Sequence, residues 1–419
     1  MNWPKLDSRL GGAGYLKITI LGLGLTALSQ SLHGIILPLR VLDFVGEAEK
    51  NTALGALTFT GLVLAMLSQP IASAFSDSTT SRWGRRKPYI LFGGLAVLVL
   101  LPGIGLAGSY AFLFVAYCLI QLAANTAQGP YQGYLPELVP LDHRGRASSL
   151  KSLMEILGGV VGVIIIGHLM SGYSGENNAG LWLSILVLTL VIGAILFYLW
   201  LSLRERPTIF APKPFRNPLL SYRFSLRDNP GFGWLLGSRL FIFMGAATIQ
   251  TFALFYLRDV LGVDDAAGST AAFLVTAVAG MALAIFPAGF LADRYGKGSL
   301  SMAASLLGAL GVSFLLIWPS TATVMVAAGM VGFAVGTFGV TNWAMATELV
   351  VKGEEARYLA IANMATAGGA ALSRLIGPVI DHFNRVELNL GYQVMLGACV
   401  VYFIVGGLLL MKVKPPANR

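Results

Sequence analysis

Charge is scarce in this chain. Asp, Glu, Lys and Arg make up 12% of its 419 residues, while 56% are hydrophobic. A soluble fold of this size needs more charge to stay solvated, so a water-soluble globule is excluded. Cysteine is confined to Cys118 and Cys399, each inside a long apolar run, so neither a disulfide framework nor a cysteine metal site is expected. The four histidines show no metal-ligand spacing. No Walker-type Gly-Lys-Ser/Thr loop occurs, so the chain carries no ATP motor of its own. Runs such as Gly22-Leu23-Gly24 lie inside apolar stretches and read as packing glycines rather than a nucleotide loop. An enzyme, a cofactor and a bound metal are not expected.

What the chain does have is long apolar runs. Roughly 20 residues at 1.5 Å rise cross the hydrocarbon layer, and twelve stretches meet that length. They are predicted at 16–40, 52–75, 88–108, 110–134, 147–170, 181–203, 232–257, 268–292, 298–318, 322–346, 358–380 and 390–412. The first run begins near Leu16 and is too long for a signal-peptide core, so no cleavable leader is expected. The 50 glycines fit a membrane bundle, where small residues let helices approach closely. The expected architecture is therefore all-α. It comprises a six-helix bundle over 1–203, a Pro-, Arg- and Lys-rich linker over 204–231, and a second six-helix bundle over 232–419.

The basic balance orients these spans. The net charge is +9. With the N-terminus inside, about 23 of the 29 Lys and Arg fall in internal segments. Arg40, Lys50, Arg258 and Arg385 fall outside, among the acidic residues Asp43, Glu47, Glu49, Asp264 and Asp265. Arg239 and Arg374 fall within spans. Both termini are expected in the cytoplasm, in a multi-pass protein of the cell (inner) membrane. Basic residues confined to short loops argue against a nucleic-acid partner.

Two motifs repeat six spans apart. Asp77, after the second span, precedes Arg82-Trp83-Gly84-Arg85-Arg86-Lys87, and Asp293, after the eighth, precedes Arg294-Tyr295-Gly296-Lys297. Glu137 with Arg146 likewise matches Glu348 with Arg357. Repeats in one orientation imply halves related by an axis along the membrane normal, with substrate held between them near mid-membrane. On these residues the chain resembles the major facilitator superfamily over nearly its whole length. The longer spacing between Asp77 and Arg82, together with Gln69-Pro70 and the run Asn125-Thr126-Ala127-Gln128-Gly129-Pro130, resembles the glycoside-pentoside-hexuronide:cation symporters and sucrose transporters.

The chain also departs from those patterns. Ala65 and Gln69 stand where melibiose-type members place sodium-binding carboxylates, and Gln121 stands where sucrose-type members carry an acid. A coupling group must then lie elsewhere, or flux is uncoupled. Glu155 is the proton-coupling candidate, because burial within a span raises a carboxyl pKa. The other reading of Glu155 is a structural pair with Lys151, one turn away.

Substrate-binding candidates are the polar residues of the first and fourth spans in each half, with Ser29 beside them. They are Gln30, Ser31, His33, Gln121, Asn125, Gln128, Gln250, Asn342 and Trp343. Amides both donate and accept, as sugar hydroxyls require. The same groups serve interhelical bonding, and that reading stays open. Arg374, deep in the eleventh span, is a further substrate candidate, whereas Arg239 is expected to snorkel to the interface. The resemblance implies a conformational latch of Asp77, Arg82, Arg85, Arg86, Glu137 and Arg146, repeated as Asp293, Arg294, Glu348 and Arg357, with Arg144 beside Glu137.

The function implied is alternating-access transport of a sugar or glycoside such as sucrose or maltose, with H+ as a coupling partner, by a monomer in the lipid bilayer. Two alternatives remain open. One is an exporter or flippase of a lipid or hydrophobic compound. The other is a non-transporting assembly factor for pigment–protein complexes.

Overall fold

The computed structural model describes residues 12–140, 143–175, 177–203, 229–350 and 355–413. The linker expected at 204–231 lies almost wholly outside them. Twelve helices are long and apolar enough to cross a membrane. They are α1 (Gly14–Leu42), α2 (Lys50–Ser78), α3 (Lys87–Leu106), α4 (Tyr110–Gln132), α5 (Arg144–Leu169), α6 (Ala179–Ser202), α7 (Pro230–Asp259), α8 (Ala266–Tyr295), α9 (Lys297–Ile317), α10 (Thr321–Glu348), α11 (Arg357–Val386) and α12 (Leu390–Leu410). No strand occurs among the described residues. Each span coincides with a predicted one to within a turn, save the C-terminal end of α11. That helix runs on to Val386 because its polar last turns are anchored by packing rather than left in a loop.

The helices start and stop for local reasons. Ser109, Ser320, Asn229 and Asp265 cap α4, α10, α7 and α8 by accepting from a backbone N–H three residues on. Gly296 has φ +86, a conformation glycine adopts freely, and it turns the chain sharply from α8 into α9. Within α1, residues Leu32–Ile36 form a π turn. Pro38 follows it and has no N–H to offer the carbonyl of Gly34, so the regular ladder cannot close there.

The chain gathers into two compact units: Met1–Leu32 with Thr60–Leu220, and His33–Phe59 with Ser221–Arg419. In the first, α1 packs on α5 and α4 on α3. Gly158 lies directly on the backbone of Leu23, so a β-carbon there would displace α5 from α1. In the second, α8, α9 and α10 pack together and α7 packs on α12. Gly332 lies on the backbone of Ala277 in the same way. Phe232, Phe252, Phe255, Phe338, Phe403 and Tyr392 are fully buried in that unit. Large apolar side chains such as Phe92, Phe286 and Phe290 instead stand exposed on the helix flanks, as expected where the solvent is lipid.

Candidate functional site

One polar group inside the second unit is built around Arg239. Its position on the third turn of α7 is roughly 13 Å along the helix. The expected snorkelling does not occur: Arg239 is 7% exposed and its guanidinium turns inward. Nε donates to Thr366 Oγ1 of α11 (2.6 Å), and Nη1 donates to Asn342 Oδ1 of α10 (2.9 Å). The guanidinium carbon lies 5.2 Å from the Phe243 ring centre and 5.4 Å from that of Trp343. The two neutral acceptors and two ring faces outweigh the pull of the interface on this side chain. Asn342 is fully buried, and its Nδ2 has no hydrogen-bond partner among the described residues. Trp343, by contrast, is 36% exposed. Thus an aromatic plate and an amide from α10 and a hydroxyl from α11 meet the cation of α7.

Arg374 is also buried, but it lies in a 3-10 turn, Ser373–Ile376, that interrupts α11. Its Nη1 donates back to Ala370 O and to Ser373 Oγ (2.9 Å). His33 sits half-buried in the π turn of α1, and Gln250 half-buried on α7.

In the first unit the candidates on α4 form an i,i+4 ladder. Gln121 Nε2 donates to Tyr117 Oη (2.7 Å), and Asn125 Nδ2 donates to Gln121 O (2.9 Å). Gln121 is 9% exposed; Asn125, Gln128 and Gln30 are half-buried. Ser29 is exposed on α1, while Ser31 is fully buried with an Oγ that finds no partner among the described residues. Glu155 pairs with Lys151 at 3.0 Å, the two side chains 30% and 25% exposed, so its carboxylate is held by a cation rather than sealed in apolar surroundings.

The repeated loops fold differently. In the first unit Arg86, 6% exposed, is a hub. It donates through Nε to Glu137 Oε2 (2.8 Å), through Nη2 to Asp77 Oδ1 (3.0 Å) and through Nη1 to Pro130 O (3.2 Å). Arg85 also pairs with Glu137. Arg82 lies exposed over the Trp83 ring. The expected partners of Glu137 are corrected: Arg144 donates to Val139 O (3.3 Å), and Arg146 is exposed with no contact to the network. Glu137 is already engaged by Arg85 and Arg86 from the loop before α3. In the second unit Asp293 and Arg294 are exposed, Arg294 over the Tyr295 ring. Glu348 pairs with Lys297, and Arg357 is half-buried at the start of α11.

Residues 47–383 match the family described as MFS/sugar transport protein. The chain belongs to that family. Its members are transporters, not enzymes. The chain is 24% identical over 314 residues to the glucuronide carrier protein homolog of Escherichia coli, covering 70% of this chain and 67% of that protein. It is 29% identical over 125 residues to the sucrose transport protein SUC3 of Arabidopsis thaliana, covering 25% of this chain and 20% of that one. The chain thus spans a small part of the plant relative's length. These relatives agree with the loop and span-four motifs that resemble the glycoside-pentoside-hexuronide symporters and sucrose transporters. The fold is that of a D-xylose-proton symporter crystal structure, with TM-score 0.72 and 16% identity, covering 96% of this chain and 97% of that one. This member of the family is a multi-pass membrane protein.

One cluster escaped sequence reading. In the second unit Asp381 of α11 is 2% exposed and receives the first turn of α2. Asn51 N (3.3 Å) and Nδ2 (2.8 Å) donate to its Oδ1, and Thr52 N and Oγ1 donate to its Oδ2 at 2.6 Å each. A carboxylate at a helix N-terminus takes its orphan N–H groups and faces the positive end of the dipole. Gly55 and Gly377 allow this, because each lies against the other helix's backbone, at Arg374 O and Asn51 O. Beside them Lys50 pairs with Glu47 (2.6 Å) and with Asp259, which accepts from Tyr392 Oη (2.5 Å). Arg258 also pairs with Glu47, and Arg385 with Glu49 at 3.4 Å. Partial burial of Glu47 works to raise its pKa, but hydrogen bonds from Lys50 and Arg258 outweigh it and hold the carboxyl below its ordinary range. A signal was present in the sequence. The basic residues that break the inside bias, Lys50, Arg258 and Arg385, each lie near an acid that their loops supply.

Proposed function

We propose that this chain carries a sugar or glycoside across the cell (inner) membrane by alternating access of two six-span halves, 1–203 and 232–419, with both termini cytoplasmic. The observation that carries the reading is the meeting of Trp343, Asn342 and Arg239 inside a chain of the MFS/sugar transport family. A sugar presents hydroxyls that donate and accept along its edges and a weakly apolar ring face, and these groups answer both. The α4 ladder of Gln121, Asn125 and Gln128 supplies further amides, and Gln30, Ser31, His33, Gln250 and Arg374 complete the proposed contacts. The Asp77 and Asp293 loops act as the conformational latch. One copy suffices.

Proton coupling is assigned to Glu155, whose pairing with Lys151 gives a proton somewhere to act: protonation breaks the pair. The test is uptake of labelled sucrose or maltose by protein reconstituted in liposomes, with and without an inward proton gradient. Accumulation above equilibrium under the gradient is expected. Glu155→Gln is expected to keep exchange and lose accumulation; unchanged accumulation removes Glu155 as carrier. No flux of any sugar removes the reading.

A second reading has one observation in its favour. An apolar groove of about 350 Å³ lies in the first unit among Leu64, Leu67, Ile71, Phe75 and Leu122. Export of a lipid or hydrophobic compound would use such a surface. Scrambling of a fluorescent lipid by the same liposomes, without sugar flux, would favour it.

A further inference from the structure

We infer that Arg239 is a specificity-determining residue that grips a carboxylate on the transported ligand, so that an acidic ligand is preferred over its neutral twin. The inference rests on the transport reading above and adds the ligand's charge to it.

The argument starts from an electrostatic imbalance. Arg239 is 7% exposed and stays charged at any physiological pH. A buried cation is stable when a carboxylate neutralises it. None does so among the described residues. Its two hydrogen-bond acceptors are a hydroxyl, Thr366 Oγ1, and an amide oxygen, Asn342 Oδ1. The Phe243 and Trp343 faces offer cation–π attraction, which is weaker than an ion pair. One N–H on Nε and one on Nη1 are used, which leaves three of the guanidinium's five N–H groups without a hydrogen bond among the described residues.

The contrast with the rest of the chain is informative. Arg86, equally buried, has Asp77 and Glu137 as counter-charges, and Lys50 has Glu47 and Asp259. At those two buried cations the fold supplies the acid, whereas the buried Arg374 donates to Ala370 O and Ser373 Oγ. At Arg239 it supplies aromatic walls and neutral acceptors.

A second observation points the same way. Asn342 is fully buried, and while its Oδ1 accepts from Arg239, its Nδ2 has no partner among the described residues. An orphan amide N–H₂ beside a cation lacking an anion is one unmet donor set. A planar carboxylate satisfies it, with one oxygen on the guanidinium fork and the other shared with the amide. Trp343, 36% exposed, provides the plate on which the ligand's ring lies.

The test measures binding by quenching of tryptophan fluorescence and by thermal shift, on full-length protein in phosphatidylcholine nanodiscs. Two matched pairs are titrated: phenyl glucuronide against phenyl glucoside, and phenylpropionate against phenylpropanol. Wild type is expected to prefer the acid of a pair by roughly tenfold or more. Arg239→Gln is expected to erase that preference, weakening the acid at least tenfold more than its neutral partner. Because that variant also breaks the Thr366 contact, Asn342→Asp provides an independent check. It places a fixed anion on the guanidinium, and should weaken the acid far more than the neutral ligand. Equal binding of acid and alcohol by wild type, or a preference that survives in either variant, overturns the inference. If the non-sugar acid discriminates while neither glycoside binds, the sugar reading falls and the anion site stands. If the glycosides bind equally, the sugar reading stands and the anion site falls. If none of the four binds, both fall. Nanodiscs containing phosphatidylglycerol separate the sources of anion: acid binding abolished by that lipid in wild type marks a lipid headgroup as occupant and overturns the ligand assignment.

Discussion

The two repeated basic loops have matching sequences and dissimilar electrostatics. After α2, Arg86 is buried and holds Asp77, Glu137 and a backbone carbonyl at once. After α8, the matching acid Asp293 stands exposed, and Lys297 pairs with Glu348, side chains 29% and 53% exposed. The difference teaches that an Asp-to-basic-turn motif fixes which groups are near the membrane surface but not how much free energy they hold. That depends on burial and on the number of partners. An arginine with three acceptors is costly to disturb, whereas an exposed lysine pair is worth about 0–1 kcal/mol.

The comparison can be broken or sharpened by mutation, reading thermal unfolding of purified protein. The largest effect is expected outside both loops, at the other buried node, where Asp381→Ala leaves two backbone and two side-chain donors of α2 unmet. A loss on the order of 3–5 kcal/mol is expected, and a loss under about 1 kcal/mol would show that water replaces the carboxylate. Next comes Arg86→Gln, expected to lower stability by about 2–4 kcal/mol, less than Asp381 because Asp77 and Glu137 can rehydrate. Gly133 lies directly against the Arg86 guanidinium, so Gly133→Ala should push the hub apart and cost about 1–2 kcal/mol. Lys297→Gln should stay within about 1 kcal/mol of wild type. If Lys297→Gln proves as damaging as Arg86→Gln, the asymmetry of the loops is wrong.

The smallest effect is a pH dependence. Glu47 has its folded pKa held below the ordinary 4.5, so its contribution is present above that value and is lost as pH falls through the lowered one. The acid limb of the melting-temperature profile should therefore flatten in Glu47→Gln. An unchanged limb would assign acid sensitivity to other carboxylates.

Much of the fold was legible because membrane spans announce themselves by length and apolarity alone. The end of α11 was not, because Asp381 and Arg385 look like loop residues until α2 is known to present its N-terminus to Asp381. The candidate site was legible in part. Asn342 and Trp343 follow from their place in span ten. Arg239 was misjudged, because distance along a helix says where a side chain starts but not which neighbours capture its head group. Glu137 found Arg85 and Arg86 rather than Arg144 and Arg146 for a related reason. Partners in these clusters come from different helices, and sequence separation carries no information about which faces meet.

By itself the sequence determined that the chain lives in lipid, how many times it crosses, and that its loops repeat, since each of these follows from local composition against a solvent of fixed thickness. Only the tertiary structure decided which buried charges are neutralised. Neutralisation depends on contacts of a few ångströms between residues as far apart as Asn51 and Asp381. Those contacts are set by backbone approach at glycines such as Gly55 and Gly377.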